Sequence, residues 1–239
     1  AWAREVGHTI VPTTPALVPL ELDGDFHTGV QGVAHPAEVA VLVEGQRPVR
    51  RSGDLLWTHF GVSGPVVLDV SRHWLRARLE RRTARVVANL VPGADFAGLE
   101  RRLIEHAQAQ PRQALHNALA TWLPARLADA VVARLGLGAA TPLAHLAREA
   151  RRTLVHSLVE WPLPVRDSRG YKFAEVTAGG VALDEIDPAT MESRRRPGLH
   201  LVGEVLDVDG RIGGFNFQWA WSSGYVAGLG LARSLGGCS

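Results

Sequence analysis

Gly203-Glu204-Val205-Leu206-Asp207-Val208-Asp209-Gly210 is followed after two residues by Gly213-Gly214-Phe215-Asn216-Phe217-Gln218. An apolar, strand-like run over residues 198–202 leads into Glu204, and a double glycine then opens a long helix-like segment. Glycines let a backbone approach a ligand closely, and a helix start presents free N–H groups and a positive dipole end. The order therefore favours a site for an electron-rich cofactor. A tight turn that binds nothing is the alternative.

The first part of the chain, residues 12–92, consists mostly of short strand patterns. β-Branched runs at residues 39–43 and 85–91 are bounded by glycine or proline. Strands of this length and spacing are typical of a small barrel or sandwich. Apolar side chains within residues 64–74 recur at helical spacing, so we expect a short helix there.

The period changes over residues 93–151, where leucines recur four apart and predict three or four short helices. Residues 153–163 alternate between polar and apolar side chains, and we expect a strand that rejoins the barrel. Residues 216–235 form the longest helix candidate. Three small residues four apart on it predict close packing against a neighbouring element: Ala220, Gly224 and Gly228.

Several further stretches occur in a specific order: Ser52 to Pro65, Thr177-Ala178-Gly179-Gly180-Val181, Glu185-Ile186-Asp187-Pro188 and Thr190-Met191-Glu192-Ser193. Together with the stretch at residues 203–218, they resemble the HI0933-like flavoprotein family, bacterial proteins known as NAD(P)/FAD-dependent oxidoreductases. The resemblance extends over nearly the whole chain, although residues 95–150 match only in helical character.

The resemblance implies an α/β fold, α+β overall. It predicts an incomplete FAD-binding Rossmann-like domain with an inserted β-barrel-like domain that carries a helical sub-domain. The expected boundaries are residues 1–11 and 166–239 for the FAD-binding part, 12–92 and 152–165 for the barrel, and 93–151 for the helical insert.

The chain departs from the family pattern in one respect. Family members begin with a strand, a GxGxxG turn and a helix that hold the FAD pyrophosphate, and this chain contains no GxGxxG. We therefore expect the chain to be a C-terminal portion of a longer protein, with that N-terminal dinucleotide-binding segment as an intramolecular partner.

The resemblance assigns cofactor-binding roles to nine residues. Glu204, after Gly203, would bind the ribityl chain of FAD. The backbone N–H groups of Gly213, Gly214, Phe215 and Asn216 would face the pyrimidine end of the flavin, where negative charge develops on reduction. Thr177, Gly179 and Gly180 would form a turn that lines the flavin from another side, with a purely structural turn as the alternative.

His59 is the candidate catalytic residue, because histidine has a pKa suited to proton transfer near neutral pH. Its neighbours Trp57 and Phe60 also suit a hydrogen-bonded structural histidine, and that alternative stays open. The ten histidines show no metal-binding spacing, so no metal site is expected.

Composition bounds the remaining possibilities. The formal net charge is +2 and no apolar run approaches the roughly 18 residues of a membrane span, so neither a nucleic acid nor a membrane is expected as a partner. The single cysteine, Cys238, excludes an intramolecular disulfide and fits a cytoplasmic protein.

We therefore predict an FAD-dependent oxidoreductase that transfers hydride from NAD(P)H through flavin to a small-molecule substrate. One alternative is a flavin-binding protein that docks to RNA through the arginine-rich helical insert. Another is an inactive fragment of the flavoenzyme.

Overall fold

The computed structural model describes residues 2–236 of the chain, and Ala1 and residues 237–239, with Cys238 among them, lie outside this range. The chain divides into two compact units. Residues 19–169 form the barrel unit, and residues 2–18 with 170–236 form the terminal unit. Because the terminal unit combines two distant segments, its core depends on contacts between residues far apart in sequence.

The elements follow in chain order. Within residues 2–236 there are nine strands: β1 (Ile10–Ala16), β2 (Leu20–Leu22), β3 (Ala34–Val43), β4 (Val49–Thr58), β5 (Gly61–Ser63), β6 (Ala84–Asn89), β7 (Trp161–Leu163), β8 (Val165–Ser168) and β9 (Val176–Val181). The α-helices in the described range are α1 (Trp2–Glu5), α2 (Phe26–Gly29), α3 (Pro65–Leu79), α4 (Phe96–Ala109), α5 (Leu115–Leu119), α6 (Ala125–Arg134), α7 (Arg148–Val159) and α8 (Phe215–Gly236). Short 3₁₀ turns lie at Leu143–His145, Tyr171–Phe173, Leu183–Glu185 and Gly203–Val205.

The barrel unit is built on a seven-stranded antiparallel sheet in the order β7-β6-β3-β4-β5-β2-β8. Its first and last strands, β7 and β8, are separated along the chain by Pro164 alone. The two edges of the sheet are therefore joined by one residue, and the sheet curls toward closure. A curled sheet leaves few unpaired edge groups, which agrees with the barrel expected from the strand pattern.

Helix α3 covers this sheet, packing against β3 and β4. It begins after Gly64, whose φ is +92°, and Pro65 occupies its first turn. A Cβ at Gly64 would lie 2.5 Å from the carbonyl oxygen of Asp54, so only glycine fits this turn. The helix expected over residues 64–74 is confirmed and continues to Leu79.

The strand expected over residues 153–163 is wrong. Helix α7 occupies residues up to Val159, and only β7 is extended. The alternation that suggested a strand also places Leu154, Val155 and Leu158 on one helical face. That face prevails because α7 packs against α4, where Leu99 and Leu103 are buried.

The terminal unit contains a two-stranded antiparallel sheet, β1 with β9, and the long helix α8. Its core consists of six buried residues: Ala3, Val181, Ile186, Met191, Leu201 and Leu206. The strand-like run at residues 198–202 does not form a strand, because its ladder pairing is limited to one isolated bridge between His200 and Glu192. Apolar character alone does not make a strand when no neighbouring strand pairs along its length.

The expected fold class, mixed α and β with a barrel-like part, is confirmed. The assignment of residue ranges to an FAD-binding domain, a barrel domain and a helical insert stays a prediction. None of the helices within residues 2–236 combines the length and the apolar character that spanning a membrane requires.

Candidate functional site

The start of α8 is shaped by two glycines. Gly213 has φ +110° and Gly214 has φ +87°, conformations that side chains with a Cβ rarely adopt. The Gly214 carbonyl accepts the N–H of Gln218, so the helix proper begins at Phe215. The N–H groups of a first helical turn have no partner inside the helix, and they are therefore available to a ligand or water.

A cavity of about 500 Å³ lies beside this helix start. Its wall includes Glu204, Gly213, Gly214 and Asn216, four of the predicted cofactor-binding residues, together with Trp219. A Cβ built on Gly214 meets nothing within 4 Å, so the backbone there faces open space. The volume falls in the range of small-molecule and cofactor sites, about 300–1,000 Å³.

Glu204 stands in the 3₁₀ turn Gly203–Val205 with an exposed side chain. Its Oε1 accepts the backbone N–H of Thr177 at 2.6 Å, which joins two of the predicted site residues. Glu204 also lines a second cavity of about 770 Å³, together with Thr177, Gly179 and Gly180. Glu204 is thus the residue common to both cavities.

The peptide groups of Gly203 fasten this turn to α8. The Gly203 N–H donates to Ser223 Oγ at 2.9 Å, and the Gly203 carbonyl accepts the indole N–H of Trp219 at 3.0 Å. Ala220 lies between them on the helix, within van der Waals range of a Cβ built on Gly203. These contacts fix the backbone that carries Glu204. They also give Gly203 a structural role outside the 500 Å³ cavity wall.

Asn216 closes the loop that precedes the helix. Its Oδ1 accepts the N–H of Gly210 at 2.7 Å, and its Nδ2 donates to the Gly210 carbonyl at 3.2 Å. The amide orientation is consistent with both bonds, because one end accepts and the other donates. Asn216 therefore holds the loop of residues 210–216 in place with its side chain.

Thr177, Gly179 and Gly180 lie in strand β9, so the turn expected at these residues is wrong. The register of β1 against β9 shifts between Val11 and Thr14, which places Gly179 opposite a bulge. A Cβ at Gly179 would lie 2.6 Å from the Pro12 carbonyl oxygen, and one at Gly180 equally close to the Val205 carbonyl oxygen. Close backbone approach therefore explains both glycines on structural grounds.

Three predicted residues line neither cavity: Gly203, Phe215 and His59. Phe215 is exposed, and the guanidinium of Arg211 lies 4.5 Å from its ring centroid. His59 belongs to the barrel unit, in the turn between β4 and β5, with its ring edge-on to Phe60 at 5.1 Å. Among residues 2–236 no group of three or more potential metal ligands is present.

A buried polar network in the terminal unit was missed from the sequence. His8, Glu185 and Ser193 are only 4–5% exposed. His8 Nδ1 lies 2.8 Å from Glu185 Oε2, and His8 Nε2 lies 2.9 Å from Ser193 Oγ. Arg195 donates to Glu185 Oε1 at 2.9 Å, and Thr9 N–H donates to Oε2 at 3.0 Å. Burial alone would raise the pKa of Glu185, but the hydrogen bonds from Thr9, His8 and Arg195 outweigh it and lower the pKa to about 2.

The hydrogen bonds that run from Ser193 through His8 to Glu185 resemble a catalytic triad of nucleophile, base and acid. The surroundings of these three side chains instead indicate a structural role. Ser193 Oγ accepts the N–H groups of Arg195 and Arg196, so its own hydrogen is directed to His8 Nε2. In this arrangement His8 Nε2 accepts from Ser193 and His8 Nδ1 donates to Glu185. With all three side chains buried, no substrate reaches the serine hydroxyl, and the network instead ties together three chain segments.

The sequence offered a weak signal for this network. Glu185 and Ser193 fall within the ordered stretches quoted above, yet His8 lies 177 positions away from Glu185 and carries no motif. Only the fold brings them together.

Comparison with known proteins places the chain in a family. A family model described as HI0933-like protein barrel and H2TH domain matches residues 14–176. A ribosomal RNA dihydrouridine synthase of Escherichia coli (strain K12) is 38% identical over 224 residues, 94% of this chain and 53% of that protein. A 3-dehydro-bile acid delta(4,6)-reductase of Clostridium scindens is 32% identical over 98% of this chain and 57% of that protein.

A ribosomal RNA dihydrouridine synthase of Haemophilus influenzae is 34% identical over 97% of this chain and 55% of its own length. The chain thus spans about half the length of the curated relatives it matches. Matches of this identity and coverage, with the family model covering more than half of the chain, confirm the resemblance drawn from the sequence. The chain belongs to the HI0933-like family.

Proposed function

We propose that the protein containing this chain is a flavin-dependent reductase that adds two hydrogens across a carbon–carbon double bond conjugated with a carbonyl group. The observation that carries the proposal is the cavity of about 500 Å³ at the start of α8, bounded by Glu204 and the Gly213-Gly214 pair. FAD is the expected flavin and NAD(P)H the expected hydride donor, as the family resemblance implies.

The residues around this cavity fit a flavin on two physical grounds. The N-terminus of α8 offers N–H groups and a positive dipole end to the negative charge that a reduced flavin carries. Open space beside Gly214 lets a flat ring system approach the backbone without a Cβ in the way. When bound, the flavin supplies the two-electron hydride chemistry that side chains lack.

Glu204 is the residue of this chain best suited to orient the cofactor. Thr177 holds one carboxylate oxygen, Oε1, by its backbone N–H. Within residues 2–236, Oε2 has no such partner and is able to accept a hydrogen bond from a sugar-like hydroxyl. The clamp of Gly203 by Ser223 and Trp219 keeps the carboxylate at the cavity wall, which favours binding through preorganisation.

The substrate class follows from the names of the relatives. Uridine becomes dihydrouridine when a hydride and a proton add across its ring double bond, which is conjugated with a carbonyl. A 3-dehydro-bile acid delta(4,6)-reductase is named for double bonds conjugated with a 3-oxo group. The shared chemistry is reduction of an enone-type bond, and we assign that class to this protein. His59 stays the candidate catalytic residue predicted from the sequence, with a structural histidine as the alternative.

The test uses the protein produced from its complete reading frame. We expect visible flavin absorption bands, bleaching by NADH or NADPH under anaerobic conditions, and recovery of the bands on addition of a uridine-containing RNA or a conjugated 3-oxo steroid acid. Glu204→Gln retains an acceptor for Thr177 but loses the negative charge. Because hydrogen bonds to a charged group are stronger than neutral ones, we expect flavin Kd to rise about tenfold.

Asp184→Asn is the matched control, because Asp184 is an exposed acid of the same unit that lines neither cavity. Its flavin Kd should equal that of the unmodified protein. Absence of flavin bands in the purified protein would refute the proposal. Equal flavin affinity of Glu204→Gln and Asp184→Asn would remove Glu204 from the site.

A further inference from the structure

The barrel unit contains a cavity of its own, with a volume of about 290 Å³, which we call the barrel cavity. All of its lining residues fall within residues 19–169, so it belongs to one compact unit. Three aromatic side chains from separate elements form part of its wall: Phe26 of α2, Trp57 of β4 and Trp161 of β7. The Phe26 ring centroid lies 4.5 Å from that of Trp161 and 5.3 Å from that of Trp57. The three rings therefore form one contiguous apolar wall.

Two largely buried side chains of the barrel cavity carry polar atoms without a partner. His27 and Trp161 are each 5% exposed, and both line the cavity. Within residues 2–236, neither the imidazole nitrogens of His27 nor the indole N–H of Trp161 has a hydrogen-bond partner. None of these nitrogens is fully enclosed by protein atoms. They are therefore accessible to a molecule in the cavity.

A second pair of the same two residue types in the barrel unit is fully satisfied. The indole N–H of Trp57 donates to His35 Nε2 at 3.2 Å, and His35 Nδ1 donates to the Pro36 carbonyl at 2.9 Å. His35 is buried to the same extent as His27. Because most buried polar groups of folded proteins are hydrogen-bonded, the unpaired nitrogens of His27 and Trp161 depart from the rule. A bound ligand would supply the missing partners.

These two side chains define the hydrogen bonds that a ligand must make. The indole N–H of Trp161 only donates, so its partner must be an acceptor such as a carbonyl oxygen. A neutral imidazole donates at one nitrogen and accepts at the other, so His27 is able to accept an N–H. An ammonium group has no acceptor and would leave the indole unpaired, which costs free energy in a buried site.

Charges at the rim of the barrel cavity disfavour an anion. Asp25 and Arg134 both line the cavity and form an ion pair at 3.7 Å. Asp23 lines it as well, and in the part of the chain that the structure describes this carboxylate has no cationic partner. The excess charge at the rim is therefore negative, and it repels a carboxylate ligand.

We propose that the barrel cavity binds a small, flat, uncharged aromatic molecule that carries a carboxamide group. The amide oxygen accepts the indole N–H of Trp161, the amide N–H donates to His27, and the ring packs against the aromatic wall. The volume lies near the lower limit of small-molecule sites, about 300 Å³, which suits a single ring with a short substituent. This inference goes beyond the proposed reductase and does not depend on it.

The experiment measures binding of benzamide to the full-length protein by ligand-observed NMR, with benzoate and benzylamine as probes of equal size. Benzoate replaces the amide by an anion, and benzylamine replaces it by a cation without an acceptor. We expect a benzamide Kd on the order of 1 mM, in keeping with a ligand of about nine heavy atoms. Both charged probes should bind at least about tenfold more weakly.

A second measurement locates the bound molecule. In protein labelled with ¹⁵N at tryptophan, benzamide should shift the indole N–H signal of Trp161. This signal is identified by its absence from the spectrum of Trp161→Phe.

Two variants each remove one of the proposed hydrogen bonds. Trp161→Phe keeps an aromatic ring but loses the donor, and His27→Phe keeps a ring of similar size but loses the acceptor. Each should raise the benzamide Kd about tenfold. Because His27 has no partner to lose within residues 2–236, we expect His27→Phe to melt no earlier than the unmodified protein. The matched controls Trp122→Phe and His145→Phe lie outside this cavity wall and should leave the Kd unchanged.

Three results would each overturn the inference. The first is no shift of the Trp161 signal at the highest soluble benzamide concentration. The second is binding of benzoate or benzylamine at least as tight as that of benzamide. The third is the same benzamide affinity in the test and control variants. Absence of flavin from a protein that binds benzamide as expected would refute the reductase and leave this inference standing.

Discussion

Of the two longest described helices, α3 buries seven of its 15 residues, whereas α8 buries only two of its 22, Ser223 and Gly230. Helix α3 packs on the barrel sheet through side chains such as Val67, Val70 and Trp74. Helix α8 is held through polar clamps on Gly203, a close contact between Gly230 and Thr190, and partial burial of Trp219, Val226 and Ala227 against the terminal core. The same secondary structure is thus stabilised by extensive burial in one unit and by partial burial with a few specific contacts in the other.

This difference explains where the candidate site lies. A helix covered by the core along its length has no free end for a ligand, but α8 leaves its first turn beside a cavity. It also exposes Phe217, Trp221 and Tyr225, which are spaced four apart and share a face. Functional sites commonly occupy such less-buried elements, where local stability is lower.

The largest expected effect contrasts two tryptophans. Trp74 on α3 is 7% exposed, and its replacement by alanine should cost about 3–5 kcal/mol in the free energy of unfolding, through lost burial and a residual cavity. Trp221 on α8 is 69% exposed, and Trp221→Ala should change the free energy of unfolding by less than about 0.5 kcal/mol. Chemical denaturation of both variants gives the comparison. A large loss from Trp221→Ala would show that its face is covered in the protein.

A second prediction contrasts two glycines of α8, and the expected effects have opposite signs. A Cβ at Gly230 would lie 2.8 Å from Thr190 Cβ, so Gly230→Ala should destabilise by about 1–3 kcal/mol through overpacking. A Cβ at Gly228 meets nothing within 4 Å, and Gly228→Ala should stabilise by about 0.5–1 kcal/mol through helix propensity. Thermal unfolding measures both. Stabilisation by Gly230→Ala would contradict the close contact with Thr190.

The remaining prediction is the pH dependence of stability that comes from Glu185, which sharpens the role of polar contacts in the terminal unit. Its pKa is lowered from 4.5 to about 2, so the folded state binds fewer protons than the unfolded state between these values. The stabilisation is fully present above pH 4.5 and is lost as pH falls through about 2. Glu185→Gln should therefore lose less stability than the unmodified protein over that range.

Ser193→Ala is the companion variant for this measurement. It removes the hydroxyl that bonds to His8 Nε2 but leaves the hydrogen bonds of Thr9 and Arg195 to Glu185. We expect it to lower stability at every pH while keeping the acid limb steep. Parallel acid limbs for Glu185→Gln and the unmodified protein would show that Glu185 does not carry this dependence.

Local patterns predicted the elements that are fixed by their own periodicity. The helix at residues 64–74 and the long helix from residue 216 follow from apolar spacing and glycine caps, and both form. The strand predicted over residues 153–163 is wrong because Leu154, Val155 and Leu158 suit either a strand or a helix period. Contact with α4 decides in favour of the helix. The small-residue stripe was only partly informative, since close approach occurs at Ala220 and Gly230 and not at Gly224 or Gly228.

The candidate site was predictable where it is continuous in sequence and not where it is assembled by folding. The glycines before α8 and the acid at Glu204 are visible as a motif, and four of the predicted cofactor-binding residues line one cavity. The clamp of Gly203 by Ser223 and the contact of His8 with Ser193 join residues 20 and 185 positions apart. No spacing rule connects such residues, because their proximity results from the packing of the terminal unit.

The division of the terminal unit into two segments also has a consequence during synthesis. A nascent chain emerges from its N-terminus, so β1 is made long before its partner β9, with the entire barrel unit in between. At about 5–20 residues per second, β1 stays without its partner for roughly 10–30 seconds. An unpaired strand is a site for pairing with another chain. Pro12 and Pro15 remove two backbone donors from β1 and so limit such pairing until β9 is translated.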